Sequence, residues 1–290
     1  MIRLSPTHAT FTLTLSCPNR PGIVAGIGMK LYELGANITE AQQFDYAEEQ
    51  RFFMRIVFDI PFSDATEQTL SDAIAILSDE FAMEWSLTDM ARPHKVLLMV
   101  SKFDHCLVDL LYRWRIGELA IEPVGIISNH PQDTYADIEF YGIPFHYIPI
   151  TKETKAEQEG RIWDIFQSSG AELMVLARYM QILSNEFSRK LAGRCINIHH
   201  SFLPGFKGAR PYHQAFARGV KLIGATAHYV TSDLDEGPII AQGVEVVDHS
   251  HYPEDLIAKG RDIEGLTLAR AVGYHLERRV FLNANRTVVL

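Results

Sequence analysis

The chain has 290 residues, 47% of them hydrophobic, and a formal net charge of -9 at pH 7, which supplies apolar material for two modest cores. An acidic average argues against nucleic acid as a partner, because phosphate binding calls for a basic face. Cys17, Cys106 and Cys195 are too few and too widely spaced for a disulfide framework, and none forms a CxxC pair, which suits a reducing compartment. The stretch from Met1 to Thr10 has no basic region followed by an apolar run, and no segment approaches the roughly 18 apolar residues that span a bilayer. A cytoplasmic protein is expected.

Residues 11–16 alternate, with Phe11, Leu13 and Leu15 on one face, and Cys17-Pro18-Asn19-Arg20-Pro21-Gly22 ends this strand. Ile23, Ile27, Leu31 and Leu34 then recur at helical spacing up to Gly35, a left-handed C-terminal cap. The period returns to two over 37–44 and 51–58, which predicts a hairpin whose second arm turns Phe52, Met54, Ile56 and Phe58 to one side. Leu70, Ala73, Ile74, Leu77 and Phe81 mark a second helix, and 84–88 a last strand. The order βαββαβ is that of a ferredoxin-like α+β sandwich, with two helices on one face of an antiparallel sheet.

That order, the Pro-Asn-Arg-Pro-Gly turn and Gly35-Ala36-Asn37-Ile38 resemble the ACT family of amino-acid-sensing domains over residues 10–90. The resemblance implies a homo-oligomer paired through this domain and an amino-acid effector such as glycine or methionine, with Asn19 and Asn37 as effector-binding candidates. Both asparagines read equally well as turn and cap residues.

A regulatory domain over 1–90 and a linker over 91–94, interrupted by Pro93, precede a second domain over 95–290. It opens with Val96-Leu97-Leu98-Met99-Val100, an apolar run suited to a strand covered on both faces. Similar runs at 124–127, 145–148, 173–176 and 195–198 alternate with helical patterns, most clearly at 107–114 and 157–167. Strands alternating with helices predict a doubly wound, mostly parallel sheet, whose ligands bind beyond the carboxyl ends of the strands. Residues 252–281 are expected to finish the domain in helix.

Within 195–242, Asn197 and His199 are two apart, so on a strand they share a face. The Pro/Gly-rich segment 201–208 reads as a loop, followed by a helix from Pro211 with Arg210 at its surface. A strand over 223–231 leads to a second loop, Ser232-Asp233-Leu234-Asp235-Glu236-Gly237-Pro238. An amide, an imidazole and a carboxylate suit acyl transfer from nitrogen, where an oxyanion is stabilised and protons move near neutral pH. His200 is expected to point away from this face. Twelve histidines are present, yet no HExxH or Cys/His spacing appears, so no metal is expected.

Asn197-Ile198-His199, Leu203-Pro204 and Asp235-x-Gly237-Pro238-Ile239-Ile240 resemble the formyltetrahydrofolate-dependent formyltransferase fold over 95–280. In that family the matching Asn, His and Asp are catalytic, which carries over to Asn197, His199 and Asp235. Arg178, Tyr179, Met180 and Gly237 are substrate-binding candidates, although Met180 reads equally well as core. With the ACT-like domain, Leu176-Ala177-Arg178-Tyr179-Met180-Gln181 and His199-His200-Ser201, the whole chain resembles the formyltetrahydrofolate deformylase family. That implies hydrolysis of 10-formyltetrahydrofolate to tetrahydrofolate and formate, which supplies formate for purine biosynthesis and balances one-carbon pools. No cofactor is expected.

One departure selects among relatives. Where glycinamide ribonucleotide formyltransferases carry a Gly-rich turn that cradles phosphate, this chain has Ser101-Lys102-Phe103-Asp104-His105. Water is therefore the expected acceptor. Two alternatives remain open at this level: a formyltransferase acting on an amine, and a catalytically inert amino-acid sensor. The division of proton transfer between His199 and Asp235 also stays open.

Overall fold

The computed structural model describes residues 8–61, 67–205 and 211–290. The stretch from Met1 to Thr7 and the loop residues Phe206, Lys207, Gly208 and Arg210 lie outside the described residues. Two compact units emerge: Met1–Pro93 with Glu277–Phe281 and Val288–Leu290, and His94–Leu276 with Leu282–Thr287.

The first unit runs β1 (His8–Pro18), α1 (Ile23–Glu33), β2 (Asn37–Tyr46), β3 (Arg51–Pro61), α2 (Glu67–Phe81) and β4 (Glu84–Asp89). Its four strands are antiparallel in the order β2-β3-β1-β4. The predicted alternation holds: Phe11, Leu13 and Leu15 of β1 and Met54, Ile56 and Phe58 of β3 pack with Ile27, Leu31, Ile74 and Phe81 of the helices. Gly35, at φ 72°, closes α1 as expected.

The other face of β3 is also buried, which alternation does not anticipate. Phe53, Arg55 and Val57 are at most 2% exposed. The C-terminal part of the chain explains this. Phe53 meets Phe281 edge-on at 5.6 Å between centroids, and Arg55 donates from Nε to the Glu277 carbonyl at 2.8 Å. Its other end pairs with Glu40 at 2.9 Å.

The second unit is built on a seven-stranded sheet in the order β11-β10-β9-β8-β5-β6-β7. Its strands are β5 (His94–Val100), β6 (Ile121–Ser128), β7 (Phe145–Tyr147), β8 (Leu173–Leu176), β9 (Cys195–His199), β10 (Leu222–Tyr229) and β11 (Ile239–Val246). The pairings from β7 through β9 are parallel, and β9–β10 and β10–β11 are antiparallel. The helices are α3 (His105–Arg115), α4 (Lys155–Ser168), α5 (Asn185–Lys190), α6 (Pro211–Arg218) and α7 (Pro253–Leu276).

Residues 96–100 are fully buried, as a strand covered on both faces requires. Ile162 and Phe166 of α4 and Phe187 of α5 join Leu97, Met99, Met174 and Leu176 in one core. The helix expected over 252–281 stops at Leu276: a left-handed Arg278, at φ 56°, turns the chain into a terminal hairpin of β12 (Val280–Asn283) and β13 (Arg286–Val289).

Ile56 lies in the middle of β3 with no exposed surface. Ile56→Ala is expected to cost about 2 to 5 kcal/mol of stability through lost contacts and the residual cavity, measured as a lower denaturation midpoint for the full chain.

Candidate active site

In the sheet, β5, β6 and β7 run outward in one direction and β8 and β9 in the other. At such a reversal the segments following the carboxyl ends of neighbouring strands diverge and leave a crevice. A cleft of about 790 Å³ occupies this place, a size suited to a small organic ligand. Its wall takes Phe103 and His105 from beyond β5, Arg178, Tyr179 and Met180 from beyond β8, and Asn197, His199 and His200 from β9 and its end. His228 of β10, Asp235 of the next loop and Glu264 of α7 complete it.

The antiparallel register explains how these groups meet. Asn197 lies opposite His228 and His199 opposite Thr226, so each pair projects from one face of the ladder. Asn197 Nδ2 is 3.3 Å from His228 Nε2. His199 Nδ1 is 3.2 Å from Asp235 Oδ2, and His228 Nε2 is 3.8 Å from Asp235 Oδ1. His199 Nε2 is buried and has no hydrogen-bond partner among the described residues. An imidazole anchored at one nitrogen and open at the other is arranged to exchange a proton or hydrogen-bond a reacting oxygen.

Asp235 adopts a left-handed backbone, φ 57°, which helps carry its carboxylate back toward β9. Burial pushes its carboxyl up, but hydrogen bonding from His199 and the nearby imidazoles outweigh this and hold it below the ordinary range. The acid is therefore ionised at neutral pH. Gly237, expected to bind substrate, does not line the cleft. A Cβ there would lie 1.8 Å from the Tyr229 carbonyl oxygen and 3.2 Å from His228 Nδ1. Only glycine lets this turn close onto β10, so Gly237 shapes the loop that carries Asp235.

A second polar group stands beside the first. Glu264, 1% exposed, accepts from Tyr212 Oη at 2.6 Å and lies 2.8 Å from His105 Nε2 and 3.2 Å from Arg178 Nε. Burial raises its carboxyl, and His105, Arg178 and Tyr212 together bring it below the ordinary range. Gly260 makes this possible: a Cβ there would lie 2.2 Å from the Tyr212 ring, so the bare helix surface admits the tyrosine. Arg178 is itself left-handed, φ 65°, with Nη1 buried and lacking a hydrogen-bond partner among the described residues. His105, Cys106 and Glu264 bring three metal-ligating atoms within 4.8 Å of one another, but the Arg178 guanidinium beside Glu264 opposes a further cation.

The structure thus gathers Asn197, His199, Asp235, Arg178, Tyr179 and Met180 around one cleft. Met180 is 53% exposed on its wall and is not core. His200 also lines the cleft, contrary to the strand-based expectation, because β9 ends at His199 and alternation stops there. Asn19 and Asn37 lie exposed on the first unit. His228 and Glu264 escaped the sequence reading, although each is a polar residue in an apolar pattern: His228 in Gly224-Ala225-Thr226-Ala227-His228, and Glu264 four residues from Gly260 and Leu268 on the buried side of α7.

Comparison with known proteins follows this division of the chain. Residues 94–272 match the formyl transferase family and residues 11–73 the ACT domain. The formyltetrahydrofolate deformylase of Corynebacterium sp. (strain P-1) is 51% identical over 96% of this chain and 97% of its own. The crystal structure of formyltetrahydrofolate deformylase from Burkholderia mallei superposes with a TM-score of 0.91 at 55% identity, covering 97% of this chain and 99% of that one. Glycinamide ribonucleotide transformylase 1 from Symbiobacterium toebii gives a TM-score of 0.62 at 25% identity, covering 68% of this chain and 94% of its own.

His200 offers a pH test of this arrangement. Burial, then the Arg178 charge, lowers its pKa from 6.5 to about 4. Between those values the unfolded chain binds the proton and the folded chain does not, so the His200 contribution makes stability fall as pH falls from 6.5 toward 4. His200→Gln is expected to make the loss of stability over that window shallower, by at most about 1.4 kcal/mol per pH unit for one proton, seen as a shallower fall in melting temperature. Parallel melting curves for parent and variant would contradict the assignment.

Proposed function

Taking as premise that the chain belongs to the formyltetrahydrofolate deformylases of the formyl transferase family, we propose that it hydrolyses 10-formyltetrahydrofolate to tetrahydrofolate and formate. Water is the acceptor and no metal or cofactor takes part. The observation that carries this reading is the state of the turn after β5. Ser101 Oγ donates to Asn129 at 2.6 Å and accepts from Met180 N at 2.9 Å, while His105 is tied to Glu264. Phe103 lines the cleft. A turn that has no glycine for close backbone approach, and that carries the bulky Phe103 and the acidic Asp104, is a poor cradle for phosphate.

In the mechanism, the folate lies in the cleft with its formyl carbonyl toward Asn197 and His199. Arg178, Tyr179 and Met180 contact the pterin side. Water, oriented by Asp235, attacks the formyl carbon, and the new C–O bond places negative charge on the carbonyl oxygen. Hydrogen bonds from Asn197, and from His199 once its Nε2 has taken up the water proton, stabilise that oxyanion, an effect of about 3 to 4 kcal/mol for one well-placed donor. The His199–Asp235 pair carries the water proton to N10, and the C–N bond breaks to leave formate. An arylamine nitrogen is a better leaving group than an alkyl one, so the step needs no Lewis acid.

The ACT domain supports regulation by a small amino acid such as glycine or methionine, with Asn19 and Asn37 at the binding face, and assembly into a homo-oligomer. The exposed β2 lies at the edge of its sheet, and an unpaired edge favours pairing with a second copy. The reading places the enzyme in the cytoplasm, which fits three free buried cysteines. No helix of the described residues is long and apolar enough to cross a membrane.

With 10-formyltetrahydrofolate and no amine present, the full chain is expected to release formate, and Asp235→Asn to release it about 10³-fold more slowly. Equal rates in parent and variant would refute the role of Asp235, and absence of formate in the parent would refute hydrolysis itself. Titrating glycine and methionine is expected to change the parent's rate with one of them; indifference to both argues against effector control.

A further inference from the structure

The residue opposite Asn197 has no part in the mechanism above, yet its bonding is fully specified. His228 is 3% exposed. Its Nδ1 lies 2.9 Å from the Tyr229 carbonyl oxygen, which can only accept, so Nδ1 carries the proton of the neutral ring. Nε2 then holds a lone pair. The atom facing it is Asn197 Nδ2 at 3.3 Å, a donor.

An asparagine amide in a cleft has two orientations related by a half-turn, and only one points an N–H at a developing oxyanion. A lone pair fixed at Nε2 rejects the orientation that would bring the Asn197 oxygen against it. We infer that His228 is a positioning residue: held in the Nδ1–H tautomer by Tyr229, it accepts one Asn197 N–H and so directs the other toward the substrate carbonyl. The inference rests on the role of Asn197 proposed above.

Three further features fit. Burial lowers the His228 pKa, which keeps the lone pair free at neutral pH. The β10–β11 register shifts between Ala227 and His228, and an irregularity beside a site commonly re-aims a side chain. A Cβ at Gly237 would lie 3.2 Å from His228 Nδ1, so a glycine in the turn bearing Asp235 leaves the ring its place. Protonation at Nε2 would remove the acceptor and give Asp235 Oδ1, 3.8 Å away, a competing partner.

The test uses the full chain and steady-state kinetics with 10-formyltetrahydrofolate. His228→Leu is expected to lower kcat by about 10- to 100-fold with KM changed less than about 3-fold, since the lost effect is felt only in the transition state. In an Asn197→Ala background the same substitution is expected to cost less than about 3-fold, because its effect passes through Asn197. His228→Gln, whose side-chain oxygen can accept the Asn197 N–H, is expected to recover at least about 5-fold of the loss. The inference is overturned if His228→Leu costs as much in the Asn197→Ala background as in the parent, or if His228→Gln is as slow as His228→Leu. Should His228→Leu fail to fold, His228→Gln decides alone: an undiminished full loss of kcat overturns the inference, and a partial one upholds it. Asn197→Ala by itself reports on the proposed role of Asn197, so failure of that reading is seen separately.

Discussion

The antiparallel pairing of β9 with β10 is the constraint on which the cleft depends. In a wholly parallel sheet the C-terminal end of β9 would stand beside the C-terminal end of its neighbour. Reversing β10 lets residue 197 face residue 228 across the ladder, with residue 199 facing 226. Neighbouring rungs then bring side chains of two strands within hydrogen-bonding reach. The Thr226 hydroxyl extends the same device: it donates to the Ser201 carbonyl and accepts from Leu203 N, both at 3.0 Å. One pairing thereby places the amide and imidazole and pins the start of the following loop.

Two charge systems share the cleft, and each is balanced locally. Asp235 faces imidazoles, whereas Glu264 faces Arg178, His105 and Tyr212. Removing ions from water is costly unless each has a near partner and hydrogen bonds for its remaining lone pairs. Pairing of this kind keeps both carboxylates ionised despite burial. His200 lies within electrostatic reach of both systems, and burial together with the Arg178 charge leaves it neutral. The cleft can thus hold a carboxylate ready near His199 without presenting a strong field of one sign.

Most of the first unit was legible because its helices and strands each bury one face, so periods of 3.6 and two appear directly. Alternation failed at β3, where both faces are covered and Arg55 sits among apolar residues. The partner that buries it lies more than 200 residues away, at Glu277, a separation no local pattern can report. In the second unit Asn197, His199 and Asp235 were legible through the resemblance of their motifs to the formyltransferases, and all three line one cleft. The alternation of β9 does not carry over to His200, because the strand ends at His199. His228 and Glu264 were visible only as polar interruptions, and deciding that such a residue faces a site requires knowing which strand or helix lies opposite. Gly237 belongs to the loop that carries Asp235, and what the structure shows of it is steric: a side chain there would meet the Tyr229 carbonyl.

Two non-glycine residues on the cleft, Arg178 and Asp235, adopt left-handed backbone conformations. For arginine in particular that conformation costs on the order of 1 kcal/mol. The usual route to a sturdier protein would place glycine there and relax the backbone. Here glycine would also strip from the cleft the two charged side chains that line it. Selection for heat resistance should therefore leave these two positions alone and gather its gains elsewhere in the fold.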